Sequence, residues 1–409
     1  MVALYLLMVI LPVVMGAGKA RFDNYQVIRV VPQTLRQVDL LRHLSDTNHD
    51  LSFWTGPTRA NASVDIMVPP HKLPEFEDIL QRFNFKNEVY IEDVQKVIDQ
   101  EQGATPRSGF GWTNYYRLQN IYDWLDSLVK QYPGIVTSIV GGKSYEGRQI
   151  KGVKVSYKSG NKGVFVEAGI HAREWISPAT VTYILNQLLT SKNASIRDIA
   201  ENYDWYIFPS TNPDGYEYTH TTNRMWRKTR SRGLLCVGAD PNRNWGFHWM
   251  DGGASSNECS ETYAGSKAFS EIETKSLSEY ITSIADKIQV YLAFHSYSQL
   301  LLIPYGHSTE HISNYDTLMS IGTKAKAALA KRYGTQYTLG NIAETIYVAS
   351  GGSMDWVRGT FNTPITYTYE LRDTGRYGFT LPASQIIPTG EETLDSVLTI
   401  LQEARKVIR

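Results

Sequence analysis

Residues 164–175, VFVEAGIHAREW, decide the fold. The apolar run VFVEA (164–168) reads as a buried strand, and His171, Arg173 and Glu174 follow directly where it ends. Gly169 frees the chain to turn away at that point. A histidine and a glutamate three positions apart can hold a metal ion from one face of a turn. H-x-x-E alone is common by chance, so its place at a strand end is what counts. Two more polar residues stand in similar places: His295 after VYLAF (290–294), and Glu370 at the end of ITYTYE (365–370). Three such strand ends would bring their polar groups to one edge of one sheet. Two neutral imidazoles and a carboxylate make a zinc site with a position left for water. A further carboxylate beside it can accept that water's proton.

Outward from this stretch, strands near 149–157, 163–170, 203–209, 288–295 and 365–370 alternate with helices near 117–131, 178–191, 270–286, 313–333 and 391–407. The pattern predicts an α/β unit, a mixed, largely parallel twisted sheet with helices on both faces. Other chemistries lack their motifs. There is no G-x-S-x-G elbow and no strand followed by G-x-G-x-x-G, and GKS (142–144) has Thr137 where a phosphate loop needs glycine.

The first hundred residues read differently. Strands at 25–31, 52–54, 63–68 and 88–91 and helical spacing over 33–45 and 72–84 give the order β-α-β-β-α-β of a small ferredoxin-like α+β unit. It carries no catalytic pattern. A charged helix (92–102) and the loop GATPRSGFG (103–111) follow. A boundary falls there, with Arg107 exposed to a trypsin-like protease. The segment is either a plain linker or an activation site.

The 409 residues are 42% hydrophobic, enough for a substantial core, and 41 basic residues balance 41 acidic ones. That balance argues against a nucleic-acid partner held by bulk charge; the local run NRMWRKTRSR (223–232) is the one exception. Residues 1–16 are apolar and uncharged, too short to span a bilayer, and small residues follow. They read as a secretory signal peptide, 1–17, or else as a buried N-terminal helix. No later stretch suggests a membrane span. The two cysteines, Cys236 and Cys259, should pair in a secreted chain; closing a loop of about 24 residues would contribute about 3 kcal/mol in the chain-entropy model. Asn61 and Asn193, each in an NAS tripeptide, are glycosylation acceptors if the chain is secreted.

Seven motifs carry a family resemblance: GIHAREW (169–175), TNPDGYEYTH (211–220), NRMWRKTRS (223–231), DPNRNW (240–245), HSYSQLLLIPYG (295–306), IYVASGGSMDW (346–356) and ELRDTGRYGFTLPASQIIPT (370–389). Over about residues 25–405 the chain resembles the pancreatic-type metallocarboxypeptidases, A/B branch, in precursor form. Two histidines and a glutamate are the documented zinc set of carboxypeptidase A. The resemblance implies one zinc ion per chain held by His171, Glu174 and His295. It implies Glu370 as general base and then proton donor, and Arg227 as the group that stabilises the oxyanion. Asn242 and Arg243 match the residues that bind the substrate's free carboxylate, a task suited to a guanidinium. Tyr347 matches a mobile tyrosine that closes over the substrate. Arg173, Ser296, Tyr297 and Phe379 match the outer subsites. Met354 stands where the basic-specific branch has an aspartate and the A branch an apolar residue; Leu302, Ile342, Ile346, Ala349 and Thr368 match the other pocket walls. Methionine in place of the usual isoleucine leaves aromatic against aliphatic preference open.

The expectation is a secreted, monomeric zymogen, with a signal peptide (1–17), an inhibitory propeptide (18–107) and a catalytic domain (108–409). Its substrates would be peptide and protein C-termini with neutral apolar or aromatic ends. Two other readings are an exopeptidase of the same fold with another specificity, and a non-catalytic peptide-binding homologue. The second usually lacks a ligand or the base, and this chain has all of them.

Overall fold

The computed structural model describes residues 18–103 and 109–408. The expected signal peptide (1–17) and the cleavage point at Arg107 lie outside the described residues. The N-terminal unit runs β1 (Gln26–Val31), α1 (Leu35–Thr47), β2 (Ser52–Phe53), β3 (Val64–Val68), α2 (Leu73–Arg82), β4 (Lys86–Ile91) and α3 (Val94–Glu101). Thr34 and Gln37 form a capping box that starts α1, and the Asp93 side chain caps α3. The four strands form an antiparallel sheet in the order β2-β3-β1-β4, as the β-α-β-β-α-β reading requires. Its core is built on Ile28, Val30, Leu41, Ile66, Phe76 and Leu80.

The larger unit contains α4 (Leu118–Gln131), β5 (Val136–Lys143), β6 (Gln149–Val155), β7 (Lys162–Ala168), α5 (Ile176–Thr190), α6 (Ala194–Asn202), β8 (Tyr203–Phe208), α7 (Pro213–Thr221), α8 (Ile272–Ile284), β9 (Ile288–Ser296), β10 (Leu300–Ile303), α9 (Tyr315–Tyr333), β11 (Thr338–Asn341), α10 (Ile342–Thr345), α11 (Ser353–Phe361), β12 (Ile365–Leu371) and α12 (Ile386–Val407). Eight strands make one sheet in the order β11-β10-β12-β9-β7-β8-β6-β5. The central four, β12-β9-β7-β8, are mutually parallel.

These central strands are buried on both faces, which is why β7, β8 and β9 contain the apolar runs VFV, WYIF and VYLAF; β12, ITYTYEL, alternates with threonine yet is almost as buried. Val164, Val166, Leu292 and Tyr367 point to one side, where α4, α5, α9 and α12 pack. Phe165, Tyr291 and Ala293 point to the other, covered by α8 and α11. The sequence pattern misses β5, β10, β11 and the helices α6, α7, α10 and α11, most of them short. It also starts α12 too late, at 391. Pro388 falls in the first turn, where a missing N–H is harmless, and Gly390 lies flat against the Tyr183 ring, where a Cβ would approach within 2.5 Å. The turn-like PTG is therefore helical. Cys236 and Cys259 are joined by a disulfide, as expected.

Candidate active site

The loop between β7 and α5 begins at Gly169, whose φ of +63° suits glycine and few other residues. A Cβ there would also crowd the Pro209 carbonyl. The turn delivers His171 and Glu174 over the ends of the central strands. His295 is the penultimate residue of β9, and Glu370 pairs with it directly from β12. His171, Glu174 and His295 are all buried, and their donor atoms lie within 4.8 Å of one another. His171 Nδ1 is 2.7 Å from Glu174 Oε1 and 3.2 Å from His295 Nδ1. His295 Nδ1 is 3.2 Å from Glu174 Oε2. Two imidazole nitrogens facing each other across a carboxylate suit a cation between them. Two nitrogens and one hard oxygen suit zinc.

One residue of this arrangement is absent from the sequence-level site. Asp240, fully buried, accepts a hydrogen bond from His171 Nε2 at 3.1 Å. That bond places the proton on Nε2 and leaves the Nδ1 lone pair for a metal. Asp240 is in turn gripped by Arg227, whose Nη2 and Nε lie 2.7 and 3.1 Å from Oδ2. Burial alone would raise the Asp240 carboxyl, but Arg227 and His171 outweigh it and hold it well below the usual range. Its only signal in sequence is its place at the head of DPNRNW.

A cavity of about 490 Å³ connects the cluster to the remaining residues. Glu370, Arg227, Asn242, Arg243, Ser296, Tyr297, Tyr347, Met354 and Phe379 line it, as do the pocket walls Leu302, Ile342, Ile346, Ala349 and Thr368. Arg243 is held by the carbonyls of Gly253 and Asn242, and its Nη2 reaches Tyr347 OH at 3.3 Å. Met354 is buried at the start of α11, where Thr368 Oγ1 donates to its sulfur at 3.3 Å. The Ser296 N–H donates to Glu174 Oε2. Arg173 faces an adjoining cavity instead, where it lies over the Phe379 ring and bonds Glu261 at 3.1 Å.

The N-terminal unit forms the roof. Trp54 packs on Phe379 and Tyr297. Tyr297 OH donates to Asp65 Oδ2 at 2.7 Å, and Arg29 bridges Asp65 and the Thr374 carbonyl. At the end of α3, Glu101 takes both arms of Arg224, which also donates to the carbonyls of Arg173 and Phe379. Both members of this pair are 1% exposed. None of these contacts between the two units is readable from sequence.

Without metal, the electrostatics favour a proton in the cluster. Burial opposes a charged His295, yet the adjacent Glu174 carboxylate outweighs it and lifts the imidazole to about 9. The two histidines hold Glu174 well below the carboxylate range against the effect of burial. His295 is thus raised above its ordinary 6.5, and its contribution to metal-free stability is complete below that value and lost as pH rises through about 9. Zinc must displace this proton, so its affinity should rise about tenfold per pH unit between pH 6.5 and 9. We expect the gain in Tm from zinc, measured against chelator-treated protein, to be clearly larger at pH 8.5 than at pH 6.5. A gain independent of pH would contradict this account.

A chain with this sheet, two histidines and a glutamate at its strand ends, and a second unit over the cleft falls in the class of metallopeptidase precursors. The family described as "Zinc carboxypeptidase" matches residues 121–396, and "Carboxypeptidase activation peptide" matches residues 28–101. The chain belongs to the zinc carboxypeptidase family and carries its activation peptide. It is 64% identical over 296 residues to a zinc carboxypeptidase of Simulium vittatum (72% of this chain, 97% of that one). It is 49% identical over 396 residues to zinc carboxypeptidase A 1 of Anopheles gambiae (95% and 92%). The crystal structure of carboxypeptidase A from Helicoverpa armigera superimposes with a TM-score of 0.86 at 29% identity, covering 95% of this chain and 99% of that one. Among the described residues, no helix is long and apolar enough to cross a membrane.

Proposed function

We propose that the chain is a secreted, monomeric zymogen that removes single residues from peptide C-termini, with a preference for apolar or aromatic ends. The observation carrying this reading is one cavity that holds the His171–Glu174–His295 cluster, Glu370, the Arg243 guanidinium and the Met354 pocket together. His171, Glu174 and His295 would hold a zinc ion, which when bound would supply Lewis acidity. Glu370 accepts the proton of the attacking water and returns it to the departing amine. Arg227, kept in place by Asp240, faces the charge that develops on the carbonyl oxygen. Asn242 and Arg243 bind the terminal carboxylate, and Tyr347 closes beside it. The terminal side chain enters the pocket over Met354, and Tyr297, Phe379 and Arg173 receive residues further from the end. A leader at 1–17, release of the 18–107 segment by a trypsin-like protease at Arg107, and glycans on the exposed Asn61 and Asn193 belong to the same reading.

The test is hydrolysis of a peptide panel before and after trypsin, with and without chelator. Activity should appear on cleavage, vanish on chelation and return with zinc, and an amidated C-terminus should be refused. Cleavage of amidated or internal bonds, or activity that survives chelation, would overturn the reading. A second expectation concerns release of the prodomain. Glu101→Ala leaves Arg224 buried without its carboxylate, which weakens the interface strongly. The lag between linker cleavage and full activity should shorten about tenfold, as followed by progress curves beside gel analysis. An unchanged lag would show that the pair does not retain the prodomain.

A further inference from the structure

Below the layer of metal ligands lies a second row of side chains. Glu167, Ala293 and Thr368 are paired across β7, β9 and β12. His295 and Glu370 stand two residues further along β9 and β12, and residues two apart share a face of the sheet. Glu167 and Thr368 are therefore one step deeper on the face that carries the chemistry, and the small Ala293 leaves space between them. The start of α11 closes over this row. Ser353 Oγ donates to Glu167 Oε1 at 2.9 Å, and Tyr291 OH donates to Oε2 at 2.5 Å. Glu167 is 0% exposed, and both donors are neutral hydroxyls. A carboxylate in such a place is unfavourable unless its hydrogen bonds fix something of use.

Ser353 makes a second bond. Its N–H donates to Asn242 Oδ1 at 3.0 Å. The two ends of an asparagine amide are alike in shape and opposite in hydrogen bonding. A backbone N–H accepts only the oxygen end as its partner, so this bond turns the Asn242 NH₂ the other way.

We propose that Glu167 is a positioning residue for substrate recognition. Through Ser353 it fixes which end of Asn242 meets the substrate's terminal carboxylate, and it holds the first turn of α11, and with it Met354, at the pocket floor. The proposal rests on Asn242 binding that carboxylate. Losing this alignment weakens ground state and transition state alike, which raises KM and leaves kcat in place.

The test uses the trypsin-activated, zinc-loaded enzyme and a peptide ending in Phe. Glu167→Leu should raise KM about tenfold or more with kcat within about threefold and zinc content unchanged. Glu167→Gln, which keeps hydrogen-bonding capacity at both oxygens' positions, should restore most of the loss. Ser353→Ala removes only the hydroxyl and decides the matter if Glu167→Leu does not fold; its KM should rise severalfold at constant kcat. An unchanged KM in Ser353→Ala, a fall confined to kcat, or a Gln variant as impaired as Leu would overturn the proposal. Asn242→Ala separates the two levels. If it leaves KM at the wild-type value, the carboxylate role of Asn242 fails and the inference goes with it. If it raises KM while the Ser353 and Glu167 variants do not, only the inference fails.

Discussion

Glu370→Gln should lose most turnover while keeping zinc and substrate affinity. The side chains are nearly equal in shape, so the paired position beside His295 on β9 is preserved. What disappears is the ability to take up a proton. Removing a general base costs about 10²–10⁴-fold in rate, and the upper end is expected because the proposed mechanism also has this carboxylate return the proton to the leaving amine. Its surroundings suit the task. Glu370 keeps some exposure to the cavity, yet burial pushes its carboxyl up to about 8, and Glu174 adds to the effect; His295, Arg227 and Arg243 pull the other way. A bound dication adds to that pull. Zinc content, peptide binding and single-turnover rate, measured on the activated variant, decide the role. A kcat near that of the wild type in a zinc-replete variant would exclude Glu370 as the base.

The second large effect concerns specificity. Burying a terminal Phe, Tyr, Leu or Met side chain over Met354 gains roughly 1.5–3 kcal/mol. A terminal Lys or Arg brings a charge to a floor whose one neighbouring carboxylate, Asp355, is already engaged by the Gly306 and His307 N–H groups, at a cost of several kcal/mol. The wild type should therefore favour Phe over Arg by at least about 100-fold in kcat/KM, since 1.4 kcal/mol is tenfold. Met354→Asp should narrow or reverse that ratio. The variant is compatible with the fold: the residue is second in α11, where an acidic side chain meets the positive end of the helix. Thr368 Oγ1, now on the methionine sulfur, can donate to the new carboxylate. Reversal should be incomplete, because Leu302, Ile342 and Ile346 remain apolar and Asp355 follows directly as a buried carboxylate. Matched peptides ending in Phe and Arg supply the measurement. A wild type that prefers Arg, or a ratio unmoved by Met354→Asp, would remove residue 354 from the pocket floor.

The sequence announces a residue best where a periodic element dictates its place. His295 follows the apolar run VYLAF and Glu370 ends ITYTYE, rich in β-branched and aromatic residues, so both read as strand ends and their common edge is legible in the sequence. His171 and Glu174 follow from the glycine that ends such a run. Asp240 escapes this logic because it sits in a long loop between α7 and α8, where no period fixes direction. Trp54 and Asp65 escape it for another reason: their partners Tyr297 and Phe379 are more than two hundred residues away, in a different folding unit. Within the larger unit, α11 starts in a glycine-rich stretch that reads as loop, and its first hydrogen bonds reach Asn242 and Glu167, far apart in the chain.

The roof formed by Trp54 and Asp65 touches the cleft at Tyr297 and Phe379, while the chamber between Glu174 and Met354 stays open beneath it. The plug is therefore off-centre. A chamber of this size lies within the range that small-molecule sites occupy, so it has room for a free amino acid or a short carboxylate inhibitor with the prodomain in place. A longer peptide that used Tyr297 and Phe379 would compete with the Trp54 ring, which already packs on both. Latency of this kind sorts ligands by length and leaves the reactive groups themselves untouched. The precursor should accordingly take up small active-site ligands that protect it from heat, at concentrations close to those that protect the activated enzyme.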